Sequence, residues 1–446
     1  MSERVTARPA AGPRSTSRLV RVLYANRPFI VVWLALFIAV IGIGMVSPLL
    51  PVFAEEMGAG GVWLGLVFSG FALSQIPLMP VVGRLADRFS KKSFLWLGLL
   101  IYAVAAAGYF WAPGYQELVL FRVLSGVGAA MVMPIAFSYI GELAPYGHEG
   151  RYMGLFNIAM VAGFGLGPVL GGLVHDSLGT DATFISMAIL SLAGLFVILL
   201  FLPGTSASPG AVGSEGTTEL RERSTPLFAM FRDATIRGVT TLQLVFGLLY
   251  GTVLAFIGIW MTTALGTGVA QVGIVLSARS IMNGAMAYPF GWLGDRMNRI
   301  ILITVGMGAV VIGTFSIPWL RSFTPLLGLF VAMGFFESMA MPSLSGMIVE
   351  KGRSMGMGSV MGVINMASSL GLVVGSMVGG AIESSVSIEA VFRYVAVLGL
   401  VGVVAFVLLM LRSGRPAARS SAAVQSDATD SASEEAENET PMRRVS

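Results

Sequence analysis

Gly83-Arg84-Leu85-Ala86-Asp87-Arg88-Phe89-Ser90-Lys91-Lys92 is a short charged hinge between two long apolar runs. An Asp and four basic residues crowd into positions 84–92 of a chain that is only 12% charged. A second version, Gly291-Trp292-Leu293-Gly294-Asp295-Arg296-Met297-Asn298-Arg299, begins 208 residues later (83 to 291). That shift aligns Gly83, Leu85, Asp87 and Arg88 with Gly291, Leu293, Asp295 and Arg296. It also sets Arg151–Gly172 on Ser359–Gly380 without a gap, with eight identities in 22 positions: Met153/Met361, Gly154/Gly362, Asn157/Asn365, Ala159/Ala367, Gly163/Gly371, Gly167/Gly375, Gly171/Gly379 and Gly172/Gly380. Gly126/Gly334, Met131/Met339, Met133/Met341 and Pro134/Pro342 fall on the same offset. Separated matches on one offset indicate a duplication, and two parallel halves around a midplane site are the architecture of a rocking transporter.

The composition fixes the solvent. The chain has 446 residues and is 55% hydrophobic, with a mean hydropathy of +0.81. A water-soluble fold has too little polar surface to enclose so much apolar sequence. About twelve apolar runs, each long enough to span a bilayer as a helix, lie near 28–53, 62–83, 93–112, 117–140, 151–173, 181–203, 238–262, 270–291, 299–319, 323–348, 356–381 and 389–411. The expected fold is an all-α polytopic membrane protein of two pseudo-symmetric six-helix bundles, 28–203 and 238–411. Residues 204–237 read as a polar linker, 1–27 as a basic tail and 412–446 as a disordered tail.

Lys and Arg set the orientation. Arg84 to Lys92, Arg151, Arg221 to Arg237, Arg296 with Arg299, and Lys351 with Arg353 fall in alternate loops. The opposite loops carry Glu55, Glu56, Glu117, Asp176 and Asp181, with only Arg321 and Arg393 basic. Both termini are therefore expected in the cytoplasm, and the chain in the cell (inner) membrane. The net charge of +4 reflects this topology and not nucleic-acid binding.

Gly163, Gly167 and Gly171 fall four apart and form one bare helical stripe, which lets another backbone approach closely. Pro168 kinks the same run. A static packing seam and a rocking seam between the halves both fit. The repeat of the stripe at Gly371, Gly375 and Gly379 favours the rocking seam.

On these residues the sequence resembles the major facilitator superfamily, over about residues 28–411. The Gly83–Lys92 hinge matches its signature between spans two and three. Leu120-Phe121-Arg122 with Gly126, Gly128 and Ala129 is similar to its span-four signature. Gly163–Gly172 resembles the span-five signature of proton-coupled antiporters, and Ser47-Pro48-Leu49-Leu50-Pro51 the end of span one in twelve-helix drug exporters. The resemblance implies that Gly83, Asp87, Arg88, Lys91, Gly291, Asp295 and Arg296 form a conformational latch, with Asp87 facing the start of span eleven near Gly356–Gly358. The family has Gly where this chain has Ser90 and Asn298. A left-handed turn there would suit Asn better than Ser.

Arg122, Arg279 and Glu337 are charges inside apolar runs. Each costs a few kcal/mol at the bilayer centre, so each must face a cavity or a partner. The resemblance links Arg122 to proton transfer. Glu337 is either a carboxylate that loads and releases a proton or the standing ion-pair partner of Arg279. The family lines its pathway with spans one, four, seven and ten, which puts Met45, Met131, Met133, Phe137, Tyr139, Phe256, Trp260, Phe336, Met339 and Met341 on an adaptable apolar wall. Asn157, Asn365, Gln75, Gln243 and Asn283 are candidates for sparse polar contacts.

The expected activity is proton-coupled efflux of small apolar or amphipathic compounds by alternating access. Uptake symport or export of one metabolite is the alternative within transport, and a non-transporting receptor on the same fold is a third. No enzyme is expected. The chain has no cysteine and two histidines, so thiolate metal sites and multi-His centres are excluded, and a nucleotide-binding G-x-x-x-x-G-K-[ST] loop is absent. The expected energy source is a proton gradient with no cofactor. The expected partners are a small molecule, protons and lipid, on a monomeric chain.

Overall fold

A bilayer offers no water to satisfy a backbone, so apolar runs of this length close their hydrogen bonds internally as helices. The computed structural model describes residues 27–86, 90–143, 149–203, 230–294, 296–355 and 357–413. Their helices are α1 (Arg27–Val46), α2 (Leu50–Glu56), α3 (Val62–Ala86), α4 (Lys91–Trp111), α5 (Tyr115–Leu143), α6 (Glu149–Leu178) and α7 (Thr180–Phe201), then α8 (Ala234–Leu265), α9 (Val269–Gly294), α10 (Arg299–Ser316), α11 (Phe323–Met355), α12 (Met357–Ser385) and α13 (Ile388–Ser413). Eleven described segments are long and apolar enough to cross a membrane, with α1 and α2 counting as one, Arg27–Glu56. The remaining long helix, α9, carries Gln271, Arg279 and Asn283 and is less apolar, because it packs between α6 and α11. Pro48 breaks the first crossing between α1 and α2, since it supplies no backbone N–H.

The 208-residue offset is visible in the packing. Within the first half α1 lies on α6 and α7, α5 on α3 and α4, and α4 on α7. The same pairs recur in the second half as α8 on α12 and α13, α11 on α9 and α10, and α10 on α13. The halves meet through α6 against α9 and α3 against α12, which the offset exchanges. Many large apolar side chains stay outside, among them Leu200 and Trp111, each 72% exposed, and Ile312 at 67%. So broad an apolar belt is what acyl chains cover.

The glycine stripe is within each half and not between them. A Cβ on Gly167 would lie 2.6 Å from the Gly44 backbone, and Gly163 and Gly171 close on Val40 and Met45, so the stripe seats α6 on α1. Gly371, Gly375 and Gly379 close in the same way on Leu244, Leu248 and Phe256 of α8. The contact between halves uses other positions. Gly273 abuts the Pro168 carbonyl, and 208 residues on, Ser376 meets Gly65. Gly172 abuts Val269 and Ala270, and its repeat Gly380 abuts Gly61 and Val62. Of the proposed seam residues, Pro168 is therefore the one at the interface.

The hinge differs from its expected shape. Ser90 (φ −62, ψ 122) and Asn298 (φ −65, ψ 111) are extended helix caps, not left-handed residues, and the Asn298 side chain accepts from Ile300 N at 2.9 Å. Gly83 lies in the last turn of α3 and Gly291 near the end of α9. Lys91 Nζ donates to Ser138 Oγ at 2.9 Å, and Lys92 Nζ to the Leu199 carbonyl at 3.0 Å, at the negative end of α7. Arg296 lies 3.6 Å over the Trp292 ring. Asp87, Arg88, Asp295 and Gly356 lie outside the described residues.

The helix after the linker begins at Ala234, four residues before 238, because Asp233 caps it. Its Oδ1 accepts from Thr235 N (2.8 Å) and Ile236 N (3.1 Å), and its Oδ2 from Lys351 Nζ (2.6 Å). Burial pushes the Asp233 carboxyl up, but the Lys351 and backbone hydrogen bonds outweigh it and hold the group below its ordinary value.

Candidate functional site

Three charges sit on three different helices, and the fold brings them to one place. Arg122 (α5), Arg279 (α9) and Glu337 (α11) line a cavity of about 390 Å³ between the halves. Gly44, Ser47 and Pro48 come from the broken first crossing, Phe68 and Phe71 from α3, and Met160, Val161, Phe164 and Pro168 from α6. The second half adds Tyr250, Leu254, Leu276, Ser280, Asn283 and Leu372. The wall is apolar and aromatic with a few convergent polar groups, which is how a small-molecule site is built.

Arg279 and Glu337 form a buried ion pair. Arg279 Nε donates to Glu337 Oε2 at 3.0 Å and Nη2 lies 2.9 Å from the same oxygen. Arg279 is 5% exposed and Glu337 8%. Low local dielectric makes such a pair strong once formed and costly to break. Arg122 is 3% exposed and differs in kind: its Nη2 donates to Ser47 Oγ at 2.6 Å, its guanidinium stacks 4.9 Å from the Phe71 ring, and its buried Nε has no acceptor. No acidic partner faces it among the described residues.

The two arginines are related by the repeat with roles exchanged. The 208 offset takes Arg122 to Phe330 and Phe71 to Arg279. Arg122 covers Phe71 in the first half, and Arg279 lies 6.0 Å over Phe330 in the second. Each half thus places one guanidinium at the same depth, once from α5 and once from α9.

The far face, opposite the termini, is sealed by two carboxylates. Glu383 Oε2 accepts from Gly61 N at 2.9 Å, and Asp176 Oδ2 from Ala270 N at 3.0 Å. Each carboxylate reaches the start of a helix in the opposite half, α3 or α9, where the dipole favours negative charge. The described close approaches between halves run from this face to mid-depth, where Gly284 meets Val161. Nearer the termini Asn157 and Asn365 are exposed.

The expected cavity wall is displaced. Among the sequence candidates Arg122, Arg279, Glu337 and Asn283 line it. Met45 (3% exposed), Met131 (7%), Tyr139 (4%), Phe256 (0%) and Trp260 (0%) are packed in the core. Trp260 meets Phe392 edge-on, and Phe256 backs Gly379. Phe137 is exposed nearer the termini against Phe156. Met133, Gln243 and Phe336 are half-buried away from the cavity, as are Gln75, Met339 and Met341. Spans two, five, eight and eleven supply most of the wall, because they cross at the interface. A signal that could have pointed to them is the repeat of Gly65 at Gly273, which the 208 offset also aligns.

Comparisons with known proteins agree with this architecture. The family model of the Major Facilitator Superfamily matches residues 32–260 and 239–441. An uncharacterized MFS-type transporter of Methanocaldococcus jannaschii is 24% identical over 384 residues, 84% of this chain and 96% of that protein. The quinolone resistance protein NorA of Staphylococcus aureus is 34% identical over 151 residues, which span 34% of this chain and 39% of NorA. Among solved structures, a bacterial homolog of the human lysosomal transporter Spinster, inward-facing and unoccupied, superposes with a TM-score of 0.75 at 15% identity, over 86% of this chain and 97% of that one. The human organic anion transporter MFSD10 gives 0.60 at 19% identity, over 85% and 99%. With its family model matched along nearly the whole length, the chain belongs to the Major Facilitator Superfamily of multi-pass membrane transporters.

Proposed function

We propose that this chain is a proton-coupled efflux antiporter of small amphipathic compounds, in the cell membrane with both termini cytoplasmic. The observation that carries the reading is the buried Arg279–Glu337 pair in the wall of a cavity between the halves. In the proposed cycle the cavity first receives substrate from the cytoplasm. An apolar body filling it excludes water from the ion pair, and in this reading the substrate and a proton on Glu337 occupy the cavity in turn. Rocking of the halves about the α3–α12 and α6–α9 contacts then exposes the cavity to the far face. Substrate leaves, water returns, and Glu337 takes an external proton and releases Arg279. Similarity over a third of the chain to NorA, a quinolone resistance protein, supports a drug-like substrate.

A second reading, proton-coupled uptake, is favoured by one observation. Arg122 has no counter-ion among the described residues, and a proton on Glu337 would add a second unpaired cation. Proton and a negatively charged substrate would then bind together.

The test is flux in proteoliposomes with an imposed pH gradient, over a panel of amphipathic compounds. Antiport predicts substrate movement against its own gradient, opposite to the proton; uptake predicts movement with it. Absence of gradient-driven flux for every compound would overturn both.

A further inference from the structure

Arg122 is the anomaly of the cavity. It is 97% buried (3% exposed), within the membrane-crossing segment Tyr115–Ile140. A cation in that setting is retained only with a partner or a water-filled path. Its partners are one hydroxyl and one aromatic face, and its Nε is orphaned. A guanidinium carries five N–H donors in a planar fork suited to two oxygens of one anion. Arg279 faces the same cavity with its Nη1 unpartnered while Glu337 holds the other side of its fork. Among the described residues the charged side chains of the wall are these three, two positive and one negative, which leaves one net positive charge in their sum. The rest of the wall, Phe68, Phe71, Phe164 and Leu276 among it, is apolar.

From this we infer that the carried compound is an amphipathic organic anion, whose carboxylate or comparable acidic group meets Arg122 while its apolar body lies against the aromatic wall. The inference rests on the transport reading but not on its direction. Binding of a monoanion brings the cavity to neutrality and satisfies the orphaned donors. A cation would raise an already uncompensated charge, and a neutral compound would leave Arg122 bare.

The test is calorimetric binding to the purified full-length chain in detergent, with blank micelles subtracted. Three apolar bodies (naphthyl, biphenyl and decyl) are each offered as carboxylate, primary amide and amine. In each series the acid should bind roughly 10- to 100-fold tighter than the amide, the range expected for charge-assisted bonds to a buried guanidinium, and the amine should bind weakest. Arg122→Gln should reduce the acid to the level of the amide, and Arg122→Lys should keep part of the preference. The ranking on the native chain stands even if a variant does not fold. Amides or amines binding as well as the acids, no acid binding in any series, or an acid preference that survives Arg122→Gln each overturns the inference. Flux of the same nine compounds separates the two claims. If amides or amines move down the pH gradient and acids do not, the anion inference fails and transport stands. If none moves, the transport reading fails as well.

Discussion

At the scale of single residues Glu337 and Arg279 decide the mechanism. Glu337→Gln leaves Arg279 buried without a counter-charge, which should destabilise the solubilised protein by about 3–5 kcal/mol. The double variant Arg279→Gln, Glu337→Gln removes the stranded charge and should recover much of that loss. Thermal unfolding in detergent of the two variants side by side decides it; a double variant no more stable than Glu337→Gln contradicts an ion pair at this place. The charges themselves were legible in the sequence, because an acid or an Arg in an apolar run is conspicuous, and the Arg279–Glu337 pair was one of the two readings open for Glu337. The partners of Arg122 were not legible. Ser47 and Phe71 have ordinary side chains, 75 and 51 positions away from Arg122, and no spacing rule joins residues on different helices. The aromatic and Met wall was misplaced for the same reason: Phe256 and Trp260 have the right chemistry for a cavity, but helix rotation turns them into the core.

At the scale of elements the glycines separate into two jobs. A methyl group at Gly171 collides with the Met45 backbone, whereas one at Gly362 meets nothing within 4 Å. Gly171→Ala should cost about 1–3 kcal/mol, while Gly362→Ala should be neutral or slightly stabilising through helix propensity; equal unfolding midpoints for the two would contradict the close α1–α6 seat. The stripe was readable from its four-residue spacing, but its partner was not, since any helix can fill a bare face.

Capping provides a second check at this scale. Asp233→Ala should lower stability at pH 7 by about 1 kcal/mol. The Asp233 carboxyl is held below its ordinary value when folded, so its contribution is full above the unfolded value of about 3.9 and is lost as pH falls through the folded one. The difference in unfolding midpoint between native and variant protein should therefore be constant near neutrality and close only in strong acid. A difference that closes already between pH 7 and 5 contradicts the cap.

At the scale of the whole molecule, the repeat was the most legible feature. One offset of 208 gave the two halves and their equivalent helices, and the structure applies it down to single contacts, Gly65 on Ser376 and Gly273 on Pro168. The state of the carrier was not legible, because opening and closing leave the sequence pattern unchanged. The far-face carboxylates Asp176 and Glu383 make bonds between the halves that opening on that side must break. Asp176→Asn with Glu383→Gln should weaken the seal and populate the state open to the far face. The chain has no cysteine, so spin labels introduced at Met57 and Val386 report that face cleanly. A longer distance in the double variant is expected, and an unchanged distribution contradicts the seal.

The central claim is that Glu337 carries the coupled proton through the rocking cycle. Its most direct measurement is the proton released or taken up, read with a pH indicator in weak buffer, when a transported compound is added to purified protein. Antiport predicts release by the native chain, the uptake reading predicts proton gain, and both predict that Glu337→Gln abolishes the signal while the compound still binds. No proton change in the native chain, or the same change in Glu337→Gln, would contradict the account.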